Sequence, residues 1–243
     1  MSKRTDKPAA ARVVREQIER DKRRKRTAWV AIIAVGVLAI GGVVGWAIYS
    51  SGKVSAVNTP ANANAAGNGI VTGSGPVIVD DYVDFICPYC KVHHDDASAT
   101  AARLIGENKI TLVQHPVAYL DRFSTNQYST RASAASGCAA DDGRFADYVS
   151  LLFAHQPVEG SAGPSDADLI KLGTDNGLSE RFAQCVRDKR YLSWSRKVSD
   201  DAARAGVTGT PTVFVNGNTV QASAEAIVAA VNDAGAATPT PTS

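Results

Sequence analysis

The chain has 243 residues, room for one ordinary globular domain with accessories. Its composition, 44% hydrophobic and 21% charged with a net charge of +2, excludes collagen-like, fully disordered and polytopic membrane proteins. The charge is unevenly placed: residues 1–27 carry eleven Lys/Arg against four Asp/Glu, and the remainder fifteen against twenty. The body is therefore acidic and offers no fold-wide basic surface to nucleic acid.

From Ala28 to Tyr49 there are 22 residues without a charge. As a helix they would span roughly 33 Å, enough to cross a hydrocarbon core of about 30 Å. Trp29 lies at one end and Trp46 and Tyr49 near the other, where amphipathic rings favour the interface. The run Lys22, Arg23, Arg24, Lys25, Arg26 directly precedes this stretch. Positive residues stay in the cytoplasm, so the expectation is a single-pass anchor over 28–49, a cytoplasmic basic N-terminus over 1–27 and an exported body. A cleaved signal peptide would have a shorter apolar region, about 7–15 residues. Residues 50–75, rich in Ala, Asn and Gly, are expected to be a flexible linker reaching roughly 25–30 Å, and 235–243 a disordered tail.

The globular part is expected over 76–234. Val77, Val79, Asp81, Val83 and Phe85 alternate with Ile78, Asp80, Tyr82 and Asp84, a period-2 pattern that predicts a strand. It leads directly into Cys87-Pro88-Tyr89-Cys90 and a helix to about Gly106, then a second strand over Lys109–Gln114. Phe145, Tyr148, Val149, Leu152 and Phe153 fall on one face of a helix. Ser165 with Asp168 opens another in a capping-box arrangement, and Phe182, Cys185 and Val186 mark a third. Thr212–Val215 is strand-like, Asn216-Gly217-Asn218 signals a hairpin, and Ser223 caps a closing helix. The fold class is α/β with a helical insertion at about 120–206.

The chemistry rests on the cysteines. A CxxC at a strand-to-helix junction sets the first sulfur at a helix N-terminus, where free N–H groups stabilise a thiolate. Pro88 suits the first helical position. Cys87 is thus expected as the exposed nucleophile, and Cys90, one turn in, as the residue that resolves the mixed disulfide. With no second CxxC, a zinc or iron–sulfur site is not expected. His93 and His94 are read as helix-surface residues. By strand parity Asp81 points to the apolar face, where its pKa should be raised and where it could exchange a proton with Cys90; a register slip would leave it solvated. Cys138 and Cys185, on two segments of the insertion, read as a structural disulfide, with a second redox pair as the alternative. Thr210-Pro211-Thr212 precedes the second β region, and Pro211 reads there as a strand starter.

VIVDDYVDFICPYC, GRFADYVSLLFAHQ and GVTGTPTVFVNG together resemble the DsbA-like thiol:disulfide oxidoreductases of the thioredoxin superfamily. The resemblance covers roughly residues 70–234. It implies a thioredoxin fold with an inserted helical domain, preceded here by the single N-terminal transmembrane helix. It also implies a cis peptide at Thr210–Pro211, whose backbone pairs with an extended substrate beside Cys87. Pro88 and Tyr89 join Thr210 and Pro211 as substrate-contacting positions, and Asp81, six residues before Cys87, matches the family's buried acid. The anchor and the Cys138/Cys185 pair are similar to anchored members in bacteria without a conventional periplasm. The implied activity is insertion of disulfides into exported, cysteine-containing proteins without a cofactor. Reoxidation would come from a membrane quinone-linked partner of the DsbB-like or vitamin-K-epoxide-reductase-like kind. Pro-Tyr stands where the best-known strong oxidant has Pro-His, so a reductase or isomerase stays open, as does an anchored non-catalytic binding protein.

Overall fold

The computed structural model describes residues 57–236. The basic N-terminus, the apolar run 28–49, the first part of the expected linker and the tail from 237 lie outside the described residues. Among the described residues no helix is long and apolar enough to cross a membrane.

The chain forms β1 (Ile70–Gly73), β2 (Val77–Val83), α1 (Pro88–Gly106), β3 (Ile110–Pro116), a 3-10 turn at Asp121–Phe123, α2 (Tyr128–Asp141) and α3 (Phe145–Ala154). It continues with α4 (Asp166–Asp175), α5 (Glu180–Arg187), α6 (Leu192–Arg204), β4 (Thr212–Val215), β5 (Asn218–Val220) and α7 (Ala224–Ala236). The five strands form one mixed sheet in the order β1-β3-β2-β4-β5. β2 and β3 run parallel, joined by the crossover helix α1, whereas β1 is antiparallel to β3 and β4 antiparallel to β2. The β4–β5 hairpin turns through Asn216 and Gly217, both at positive φ (47° and 80°), the backbone that Asn-Gly adopts most readily.

Two apolar clusters flank the sheet. Val77, Val79, Ile110, Val213 and Val215 pack with Ala97 and Leu104 of α1 and Ile227 and Val231 of α7. The larger cluster joins Val83 and Phe85 to the helical block through Tyr128, Tyr148, Leu152, Phe153, Phe182, Trp194 and Val198. The block, α2–α6, is inserted between β3 and β4. Local signals hold within it: Ser165 and Asp168 form a reciprocal capping box at the start of α4. At α7 the Ser223 hydroxyl accepts from the Ala226 N–H at 3.3 Å.

The linker expectation fails from residue 57 onward. Residues 70–73 form an edge strand with Ile70 buried, so the folded unit begins well before 76. The segment ahead of it is tied down by side chains remote in sequence. Trp194 Nε1 donates to the Gly67 carbonyl at 3.0 Å, and the Ala61 N–H donates to Asp141 Oδ1 at 2.9 Å. Small residues are required here by contact: a Cβ on Gly75 would lie 2.2 Å from the Ile110 nitrogen. Composition that looks like a tether thus serves close packing against β3.

Candidate active site

β2 ends at Val83 and the chain turns through Asp84–Ile86 into Cys87, the N-cap of α1, with Pro88 at the first helical position. The turn is pinned from three sides. The Cys87 N–H donates to the Asp84 carbonyl at 3.0 Å. Gln156 Nε2, from the loop after α3, donates to the carbonyls of Phe85 (3.1 Å) and Cys87 (2.9 Å). The Asp84 N–H lies 3.4 Å from Cys90 Sγ.

Neither cysteine is in a disulfide. Cys90 is fully buried, and Cys87 is only 4% exposed, less open than the sequence suggests, because Gln156 and the Thr210 segment close over the turn. Cys87 Sγ lies 3.5 Å from the Thr210 carbonyl oxygen, and the Thr210–Pro211 bond is cis. Tyr89, between the cysteines, is 76% exposed, which places its ring at the surface beside them.

The electrostatics of the pair are strongly unequal. A hydrogen bond from the Cys90 thiol is the largest influence on Cys87. Together with hydrogen bonds from the Thr210 side chain and the N–H groups of Cys90 and Tyr89, it outweighs burial and lowers the Cys87 pKa to about 6. Burial first, then the hydrogen bond and charge of Cys87, push Cys90 well above the ordinary thiol range. The shifts run in opposite directions, favouring thiolate at Cys87 and thiol at Cys90.

Asp81 lies on the face that strand parity gives it and is buried, but its carboxylate is engaged away from the cysteines. Oδ1 meets His93 Nε2 at 3.1 Å, and Oδ2 accepts from Gln114 Nε2 at 3.2 Å. These three residues line a cavity of about 490 Å³ bounded by α1, the sheet and α3. The reading of His93 as a surface residue is corrected: it is 5% exposed. Cys90, His93, Ala97 and Leu104 form the buried side of α1, a spacing of three, four and seven that could have flagged it. Its Nδ1 faces the Ala222 carbonyl at 3.1 Å, so both ring nitrogens face acceptors and the imidazolium form satisfies both. Burial opposes that form, but the hydrogen bond and charge of Asp81 outweigh it, and the His93 pKa is raised. His94, its neighbour, instead meets Ser150 Oγ at 3.2 Å and stacks on Phe153.

The acid that sequence reasoning missed is Asp84, fully buried beneath the active-site turn. Away from this site, Cys138 of α2 and Cys185 of α5 are joined by a disulfide. Among the described residues no cluster of His, Cys, Asp and Glu could hold a metal ion.

A family model described as Thioredoxin matches residues 66–233. The chain belongs to the thioredoxin family. Within it, the resemblance is to DsbA-like members. The chain is 29% identical to reduced DsbA of Mycobacterium tuberculosis, with a TM-score of 0.61 over 68% of this chain and 91% of that one. It is also 29% identical to the disulfide bond oxidoreductase DsbG of the same organism, with a TM-score of 0.63 over 72% of this chain and 91% of that one. Among curated proteins it is 33% identical to Na(+)/H(+) antiporter NhaA 1 of Salinispora arenicola, over 67% of this chain and 24% of the antiporter. The chain thus spans about a quarter of that relative's length, and the match concerns one part of it.

Proposed function

We propose that this chain is a thiol:disulfide oxidoreductase that donates a Cys87–Cys90 disulfide to cysteine pairs of exported proteins. The observation that carries the reading is the asymmetry of the pair: a lowered pKa at Cys87 beside a buried, raised one at Cys90. A substrate thiolate attacks Cys87 Sγ, the more accessible sulfur, and the S–S bond to Cys90 breaks; Cys90 leaves and takes up a proton. The second substrate thiolate then attacks the substrate sulfur of the mixed disulfide. A new substrate disulfide forms, and Cys87 departs as a thiolate stabilised by the hydrogen bonds above. Two electrons pass from substrate to enzyme. A low leaving-group pKa speeds that second step, and a stabilised thiolate favours the reduced enzyme, which makes the oxidised one an oxidant.

In this reading Tyr89 offers an exposed contact beside the sulfurs, and the Thr210–Pro211 backbone flanks the substrate main chain as it would a neighbouring strand. Residues 28–49 anchor the domain outside the cytoplasmic face, and a membrane quinone-linked partner removes the two electrons. The sequence of that stretch and its basic flank support the anchoring.

The test is trapping in cells. Cys90→Ser, which lacks the resolving thiol, should accumulate mixed disulfides with exported proteins, recovered in the membrane fraction and released by reductant. Cys87→Ser should trap nothing. No adducts with either variant, in a folded protein, would contradict the reading. Cys90→Ser holds no disulfide to donate, so its adducts report exchange at Cys87. The native chain decides the direction: oxidised native protein that forms no disulfide in a reduced two-cysteine peptide would turn the reading to a reductase or isomerase.

A further inference from the structure

Asp81, His93 and Gln114 line one part of the cavity of about 490 Å³ between α1, the sheet and α3. Native interiors hold few voids larger than a water molecule, whereas this one lies in the range of small-molecule sites, about 300–1,000 Å³. At about 30 Å³ for a water-sized group, it takes roughly sixteen such groups. The space exists because α1 presents Ala97, Ser98 and Ala101 to it, where larger side chains would fill it. Neither Cys87 nor Cys90 lines the cavity, so it is a place apart from the dithiol.

Its walls are of two kinds. Val79, Leu112 and Val213 of the sheet, Ile105 of α1 and Ile227 of α7 give it apolar sides. The polar part is built from Asp81 and His93, both buried, and Gln114. His93 Nε2 meets Asp81 Oδ1 at 3.1 Å and already answers the carboxylate charge. Gln114 Nε2 donates to Asp81 Oδ2 at 3.2 Å, and because a carboxylate only accepts, this fixes which way the amide lies. Gln114 Oε1 is left without a hydrogen-bond partner among the described residues, and each Asp81 oxygen keeps a further lone pair. What this part of the cavity lacks is a donor. A carboxylate head would be repelled by Asp81, and an ammonium head would compete with His93 for a charge already matched. A neutral hydroxyl supplies the donor and brings no charge with it.

We propose that this cavity is a binding site for a small neutral alcohol, its apolar body held between α1 and the sheet and its hydroxyl donating to the Asp81–Gln114 pair. Burial of the body drives binding, and the hydroxyl selects among ligands of equal size. No bond is made or broken there. The site goes beyond the oxidoreductase reading and does not use it.

The experiment is a calorimetric titration of the full chain with 1-octanol and with dibutyl ether. The two are isomers, and only the alcohol carries a donor. Ala101→Phe, which puts a ring into the cavity, is titrated in the same detergent and supplies the partition background. The native chain should bind 1-octanol one to one, with a Kd below about 1 mM, and dibutyl ether about tenfold more weakly, as for the loss of one hydrogen bond. Gln114→Met, of similar length but without the amide, should bring the alcohol down toward the ether. Heats no greater than those of Ala101→Phe would overturn the proposal. Equal affinity for the two isomers would overturn it too, leaving an apolar void without a polar recognition end. If Ala101→Phe does not fold, detergent alone gives the background and Gln114→Met decides: unchanged preference for the alcohol overturns the assignment. Cys87→Ser should bind 1-octanol as the native chain does, so loss of trapping and loss of binding are read separately.

Discussion

Asp81 lies within β2 and Asp84 just past its end; Asp81 has an imidazole partner, whereas Asp84 is held by two backbone N–H groups and the Ser129 hydroxyl. Asp81 meets His93 at 3.1 Å, and the pair links β2 to α1. Because the His93 pKa is raised on folding, its contribution to stability is fully present below the unfolded value of about 6.5. It is lost as pH rises through the folded value. His93→Gln should therefore destabilise the fold by about 2 kcal/mol at pH 5.5, as for a hydrogen bond to a charged group. The gap should narrow above neutrality, and urea unfolding at pH 5.5 and 9 checks this. A gap that widened with pH would mean the histidine is buried neutral. Parity found Asp81, because β2 alternates cleanly as far as Val83. It could not find Asp84. The alternation in sequence runs on to Phe85, but the strand stops at Val83, and α2 then covers a side chain that a continued strand would have sent to solvent.

At the scale of elements, the legible parts were those with a local cause. The CxxC at the strand–helix junction, the capping box of α4 and the Asn-Gly hairpin each depend on residues within a few positions of one another. β1 depends on partners far away: its register is set by β3, some 40 residues on (Ile70 opposite Gln114), and the loop before it is held by Trp194 and Asp141. A four-residue strand in an Ala/Asn/Gly-rich stretch carries too little period-2 signal to be read alone. The disulfide between α2 and α5 closes a separation of 47 residues, worth about 4 kcal/mol in the chain-entropy treatment. A Cys138→Ala, Cys185→Ala double variant should lose about that much in urea unfolding. Its Cys87 thiolate titration should be unchanged, because the bridge lies in the block and not at the turn. A shifted titration would instead make the bridge part of the redox centre.

At the scale of the whole molecule, the helical block does more than enlarge the core. It supplies Gln156 to the Cys87 carbonyl and Ser129 to the Asp84 carboxylate, so the dithiol is held as much by the insertion as by the sheet. Hydrogen bonding at Cys87 and burial of Cys90 favour a thiolate at Cys87, and in the proposed function that asymmetry makes the oxidised chain an acceptor of electrons. The most direct test is the reduction potential of the Cys87/Cys90 couple in residues 57–236, equilibrated with glutathione and read separately from Cys138/Cys185. With the Cys87 pKa at about 6, between the values of about 7 for thioredoxin and about 3.5 for the strong oxidant DsbA, the potential should lie between theirs. A value less negative than about −230 mV is predicted for a disulfide donor. A value at or below about −270 mV, that of thioredoxin, would contradict donation and make the chain a reductase.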